Sequence, residues 1–226
     1  MSKKAAILVF ANSSEKALIS KSVQSAEVFD ALNAEALKTA KKTGLPYFHY
    51  SEKDQIGISF GERFTNAIEA VYNKGFDTVI SIGTDIPHLK ARHIIKAVDA
   101  LETSDYVLGP STDGGFYLMG FKKSHFNKIT LRALPWENSK LQRFLAKELQ
   151  ESNKSVSYLE ALSDIDDISS VALVLKSYKT LTNTIKKLLL IILRQKIETS
   201  NYSSIFIASS VIKLHKNKGS PLSVPL

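Results

Sequence analysis

The chain has 226 residues, enough for one α/β domain with a proper core and an appendage. It has no cysteine, which excludes disulfides, thiolate metal sites and cysteine nucleophiles. The net charge of +8 sits almost wholly at one end: from Lys179 onward there are eight basic residues and one acid, Glu198, so the body is near neutral and a nucleic-acid-binding face is not expected.

Met1 to Lys4 leads into Ala5-Ala6-Ile7-Leu8-Val9-Phe10, an apolar run too short for a secretory signal and read as a strand buried on both faces. Ala11 to Lys16 reads as a loop whose Asn and Ser residues would cap the following helix. From Ser25 to Thr43, Val28, Leu32, Ala36 and Ala40 recur every four residues, the spacing of a helix that Gly44 ends. Leu45 to Tyr50 reads as a second strand and Ser51 to Ser59 as polar loop. A helix opening at Phe60 puts Phe64, Ile68 and Val71 on one face and ends at Gly75.

The stretch from Phe76 to Phe121 carries the chemistry. Asp77 to Ile82 is a β-branched run that ends in Gly83-Thr84-Asp85-Ile86-Pro87. A helix follows, with Ile94, Ile95, Val98 and Leu101 at helical spacing. Tyr106-Val107-Leu108 then runs into Gly109-Pro110-Ser111-Thr112-Asp113-Gly114-Gly115 and a further strand, Phe116 to Phe121. Asp85 and Asp113 thus stand just outside the ends of strands, where open α/β sheets bind ligands. Asp85 is placed either to hold a cation, or to cap the helix beginning near Leu89 or stabilise the turn before Pro87. Asp113 is placed either as a site carboxylate beside the permissive Gly114 and Gly115 or as part of a hairpin turn.

Beyond Phe121 the pattern is helical and polar, with a break at Leu134-Pro135-Trp136. Lys140 to Gln150 carries Leu141, Phe144, Leu145 and Leu149 as an amphipathic helix, and Ser155 to Leu159 reads as an edge strand. Asp164, Asp166 and Asp167 precede a last helix over Ile168–Leu175, where they either complete an acidic cluster or suit the helix dipole. Alternating strands and helices to about Tyr178 define an α/β domain over 1–178, followed by a basic, apolar extension over 179–226. In that extension Leu188 to Leu193 is apolar all round, so it is expected to pack on the domain, pair with a second copy in a homodimer, or lie on an anionic membrane surface. No apolar stretch reaches the ~20 residues that span a bilayer. With the absence of cysteine, that fits a cytoplasmic protein.

Taken together, Gly83-Thr84-Asp85-Ile86-Pro87 and Gly109 to Gly120 resemble a bacterial family of type-A glycosyltransferase-like proteins, some of whose members are named arsenosugar-biosynthesis glycosyltransferases. Gln55, Gly57, Phe60-Gly61-Glu62-Arg63, Trp136 with Ser139, and Asp164-Ile165-Asp166 extend the likeness across roughly Ala5 to Leu175. The family belongs to the nucleotide-diphospho-sugar transferase superfamily, so the resemblance implies a Rossmann-like, mixed, mostly parallel sheet flanked by helices. It also implies a nucleotide-sugar or nucleotide donor, a small-molecule acceptor and a divalent cation, Mg2+ or Mn2+, held by Asp85, Asp113 and Asp166. Asp85 and Asp113 would be the catalytic pair; Asn12, Lys16, Arg63, Gly114, Gly115 and Trp136 would bind substrate. Two other functions fit the same residues: a nucleotidyltransferase related to 2-phospholactate guanylyltransferase or the molybdenum-cofactor nucleotidyltransferases, and a non-catalytic binding module. The chain departs from the family after the first strand. A Pro-Gly loop with a Lys-Thr-Arg-Leu run is replaced by Asn12-Ser13-Ser14-Glu15-Lys16-Ala17-Leu18, with Lys16 and Lys21 as sources of positive charge.

Overall fold

The computed structural model describes residues 4–196. Six strands form one sheet: β1 (Ala5–Phe10), β2 (Tyr47–Tyr50), β3 (Thr78–Ile82), β4 (Tyr106–Pro110), β5 (Phe116–Lys122) and β6 (Val156–Tyr158). Their spatial order is β2-β1-β3-β5-β4-β6. β1 pairs parallel with both β2 and β3, and β4 pairs parallel with β6. Only β5 runs against its neighbours, β3 and β4. The sheet is therefore mixed and mostly parallel, and the carboxyl ends of β1, β3, β4 and β6 all open on one edge.

Alternation along the strands explains why both faces are covered. Ala6 and Leu8 enter a core cluster on one face, with helix α3 (Phe60–Asn73), α5 (Lys128–Ala133) and α6 (Leu141–Glu151). Ile7 and Val9 enter the other, with α2 (Ala26–Lys42) and α4 (Ala91–Ala100). All four side chains are fully buried, as a two-sided apolar strand requires. The four-residue repeat of α2 behaves as its spacing dictates: Val28, Leu32, Ala36 and Ala40 are buried. In α6 the buried face is Leu141, Leu145 and Leu149, which leaves Phe144 half exposed at 51%, off the face the sequence assigned to it.

Two segments differ from their sequence reading. Residues expected as loop after β1 form a short helix, α1 (Ser14–Ser20), because the Ser13 hydroxyl accepts from the Lys16 N–H at 3.3 Å and caps it, while Ser25 caps α2. The apolar run near the C-terminus is one-sided. Residues 183–196 form a helix, α8, in which Ile185 and Leu189 are buried but Leu190 and Ile191 remain 39% and 50% exposed. The buried pair joins a third core cluster with Ala17, Val23, Phe29, Ile165 and residues of α7 (Ile168–Lys176). The expected extension therefore packs on its own domain as far as Ile192, and residues 197–226 lie outside the described residues. Among the described residues no helix is long and apolar enough to cross a membrane.

Candidate active site

The sheet order turns at β1 and β3. The chain passes from β1 to β2 on one side and to β3 on the other, so the loops after β1 and β3 part and leave a crevice at the carboxyl edge. A cavity of about 210 Å3 occupies this position, lined among others by Asn12, Lys21, Gln55, Arg63, Asp85 and Trp136.

Asp85 follows β3 directly. The Gly83 N–H donates to the Tyr117 carbonyl of β5, and the Asp85 carbonyl accepts from the Ile165 N–H, each at 3.0 Å; the second bond joins the loops after β3 and β6. The helix-capping alternative for Asp85 does not hold, because α4 begins at Ala91 with Lys90 at its cap position. In the second loop the cap of α7 is Asp167, whose carboxylate accepts from the Ser170 N–H at 2.8 Å. Asp164 and Asp166 are thereby left for another task. They converge on Asp85, and one carboxylate oxygen from each of the three lies within 4.8 Å of the others.

Lys21, at the end of α1, points its ammonium group into this cluster. Nζ is 2.6 Å from Asp85 Oδ2 and also pairs with Asp166 Oδ1. Burial works against the Lys21 charge, but the two carboxylates outweigh it and hold its pKa above the ordinary lysine value. Asp164 is 6% exposed, and no hydrogen bond from a described residue outside the cluster reaches its carboxyl group. Burial, then the charges of Asp85, Asp166 and Asp113, push its pKa up to about 8. The cluster carries more acid than one lysine can balance.

Asp113 is built differently. Its Oδ1 accepts from the Ser111 hydroxyl and, at 2.9 Å, from the Gly115 N–H, closing the turn between β4 and β5. Gly114 has φ of +100°, and a Cβ there would meet the Ser139 carbonyl oxygen at 2.2 Å, so the turn accepts only glycine. Gln142 at the start of α6 donates to the Ser111 and Gly115 carbonyls at 2.8 and 2.6 Å and pins the hairpin from outside. Asp113 is therefore not one of the three acids that meet; Asp164 stands where the sequence put it. The turn uses Oδ1, and Oδ2 accepts no hydrogen bond from a described residue.

The remaining expected contacts divide. Arg63 lies in the cleft wall, donating to Gln55 Oε1 at 3.3 Å and to the Ile58 carbonyl at 2.8 Å. Trp136 also lines it, but its indole N–H is spent on the Leu131 carbonyl at 2.7 Å and its ring lies 5.0 Å from those of Phe60 and Phe64. Trp136 therefore offers only a ring surface. Asn12 lines the cleft, whereas Lys16 is exposed on α1 and, like exposed Asp113 and like Gly114 and Gly115, is absent from the lining. Beside Asn12, the N–H and hydroxyl of Ser13 both donate to the Glu52 carboxylate at 2.7 Å. An acid thus takes two donors of the loop after β1.

The sequence matches, over residues 18–138, the family described as uncharacterized protein conserved in bacteria (DUF2064). The chain belongs to that family. No curated protein matches the sequence. Among solved structures, this DUF2064 chain is similar to a protein from Desulfovibrio desulfuricans G20 provisionally assigned as a nucleotide-diphospho-sugar transferase. The TM-score is 0.74 at 19% identity, over 85% of this chain and 98% of that one. That likeness shows the fold alone, an α/β domain with a mixed, mostly parallel sheet flanked by helices. More distant are CMP:2-keto-3-deoxy-manno-octonic acid synthetase complexed with CTP, with a TM-score of 0.47 at 11% identity over 78% of this chain and 99% of that chain, and the manganese complex of Rv0371C from Mycobacterium tuberculosis H37Rv, with 0.44 at 13% over 77% and 100%. At those scores neither bears on the chemistry of this site.

Proposed function

We propose that the protein is a metal-assisted transferase that takes a nucleotide-sugar donor and passes the sugar to a small-molecule acceptor. The observation that carries this reading is the meeting of Asp85, Asp164 and Asp166 beside the crevice between β1 and β3. Three carboxylates on one point suit the hard, oxygen-seeking Mg2+ or Mn2+. The buried Asp164 carboxyl, without a donor from outside the cluster, is an observation that fits such an ion. Bound there, the ion would stabilise the negative charge that develops on the leaving diphosphate.

The side chains take up the rest. Asp85, Asp164 and Asp166 hold the charge at the strand ends. Arg63 fixes the 55–58 loop through Gln55 and Ile58 and presents its guanidinium to the cleft. Trp136 closes the wall with an aromatic surface. Asp113, with Oδ2 unengaged, receives the proton of the acceptor hydroxyl. The cavity falls below the ~300–1,000 Å3 usual for small-molecule sites, so the donor lies partly over exposed Asn12 and the β4–β5 turn.

A panel of nucleotide sugars and nucleoside triphosphates, each with Mn2+, followed by melting temperature and product analysis, tests the assignment. Stabilisation by a nucleotide sugar with release of a nucleoside diphosphate supports it. Turnover of a triphosphate to pyrophosphate would move the protein to the nucleotidyltransferases. No response to any member of the panel would leave a binding module without transferase activity.

A further inference from the structure

The cation already held by the acidic cluster is a side chain. The Lys21 side chain is 16% exposed and is paired with both Asp85 and Asp166. The backbone at its foot is fixed: the Lys21 N–H donates to the Ala17 carbonyl at 2.9 Å, and the Ser22 and Val23 N–H groups donate to the Asp166 carbonyl at 2.9 and 3.2 Å. The ammonium group can therefore leave the carboxylates by side-chain rotation but not by loop movement without breaking these bonds. The direction open to it is the cleft, which Lys21 lines.

A Mg2+ ion sits ~2.0–2.1 Å from its oxygen ligands. On the Asp85 and Asp166 oxygens it would touch the Lys21 ammonium, and two positive charges at contact in a partly buried site repel strongly. Both cannot occupy the pair. The buried Asp164 adds a third carboxylate that Lys21 does not pair, so the cluster has room for more positive charge than Lys21 supplies. Building on the metal-assisted reading above, we infer that Lys21 is an intramolecular competitor for the divalent cation, holding the Asp85–Asp166 pair in the metal-free protein and giving it up when the ion arrives with the donor. The displaced ammonium group stays in the cleft, where phosphate oxygens replace the lost carboxylates as partners. Metal affinity is thus low without nucleotide and rises with it. Lys21 tunes metal dependence as a positioning residue, and its charge and reach make it the match for both ligands.

Titration of the full-length protein with Mn2+ alone, read by the loss of the free-ion paramagnetic resonance signal and by calorimetry, tests this. Lys21→Met keeps the length and removes the charge; it should bind Mn2+ at least tenfold more tightly than wild type. Lys21→Arg should stay as weak as wild type, and UDP should raise wild-type Mn2+ affinity while changing that of Lys21→Met little. Melting curves establish that each variant is folded, and Lys21→Gln serves if Lys21→Met is not. Equal Mn2+ affinity of wild type and the neutral variant overturns the competition but leaves the metal site standing. Wild type that binds Mn2+ as tightly without UDP as with it overturns the competition without any variant. No Mn2+ binding in any folded form, with or without UDP, overturns the metal-assisted reading as well.

Discussion

Two acidic loops leave adjacent parts of the same sheet edge and look alike as strings of residues, yet they are built for different ends. In the loop after β3, the Asp85 carboxylate is engaged by a cation, Lys21, and its neighbours are other acids brought from elsewhere. In the loop after β4, Asp113 spends one oxygen on its own turn, and Gly114 and Gln142 lock that turn in place. The first loop gathers charge and the second holds a shape. An aspartate's role therefore follows from who donates to it, which no short motif records.

Asp85→Ala should break the comparison hardest. Mn2+-dependent donor binding and turnover should fall on the order of 100-fold or more. Stability should change by no more than ~1 kcal/mol, since the carboxylate is 34% exposed and Lys21 keeps Asp166. Calorimetry of donor with Mn2+ and a melting curve check both halves; unchanged affinity would reduce Asp85 to a counter-ion of Lys21.

Asp113→Asn sharpens the other side. An asparagine Oδ1 can still accept from Ser111 and Gly115, so the melting temperature and Mn2+ affinity should hold. Turnover should drop by roughly 100-fold, the lower range for loss of a general base. If steady-state kinetics showed wild-type kcat, Asp113 would serve the turn alone.

Gly114→Ala tests shape without touching charge. Positive φ and the 2.2 Å approach to the Ser139 carbonyl should together cost roughly 2–4 kcal/mol. At about 2–4 °C per kcal/mol for a chain of this size, the melting temperature should fall clearly. A variant as stable as wild type would mean that the hairpin has freedom it does not show.

The last effect is one of pH. Asp164 has its pKa raised to about 8, so in the metal-free protein the folded state keeps a proton that the unfolded chain releases near pH 4. The stability this contributes is full below pH ~4 and is lost as pH rises through about 8. Melting temperature in EDTA should decline across that window, and Asp164→Asn should flatten the decline. A profile identical in both proteins would remove Asp164 as its source.

Much of the fold was legible because it is periodic. The two-sided strands, the four-residue repeat of α2 and the Asp-Gly hairpin each carry their cause in local sequence. The site was half legible. Asp85 and Asp113 stood out as the ends of strands, but Lys21 lies 64 residues from Asp85 and 145 from Asp166. Its pairing is a product of tertiary approach, and a lysine after a short helix has no local mark. The α1 helix was hidden for a related reason: Ser13 could cap the helix beside it or one further on, and the sequence alone does not choose. Phe144 went to solvent because only the i, i+4, i+8 line of α6 faces the sheet.

The same distances have a meaning in time. At about 5–20 residues per second of synthesis, roughly 7–30 s pass between the emergence of Lys21 and that of Asp166. Ile185 and Leu189, which share a core cluster with Val23 and Ile165, emerge later still. Until Asp166 emerges, Lys21 lacks one of its two carboxylate partners, and until Leu189 emerges the third core cluster is incomplete. The α8 side of the third core cluster is thus the last described part of the domain to emerge, after every member of the cation cluster is already present.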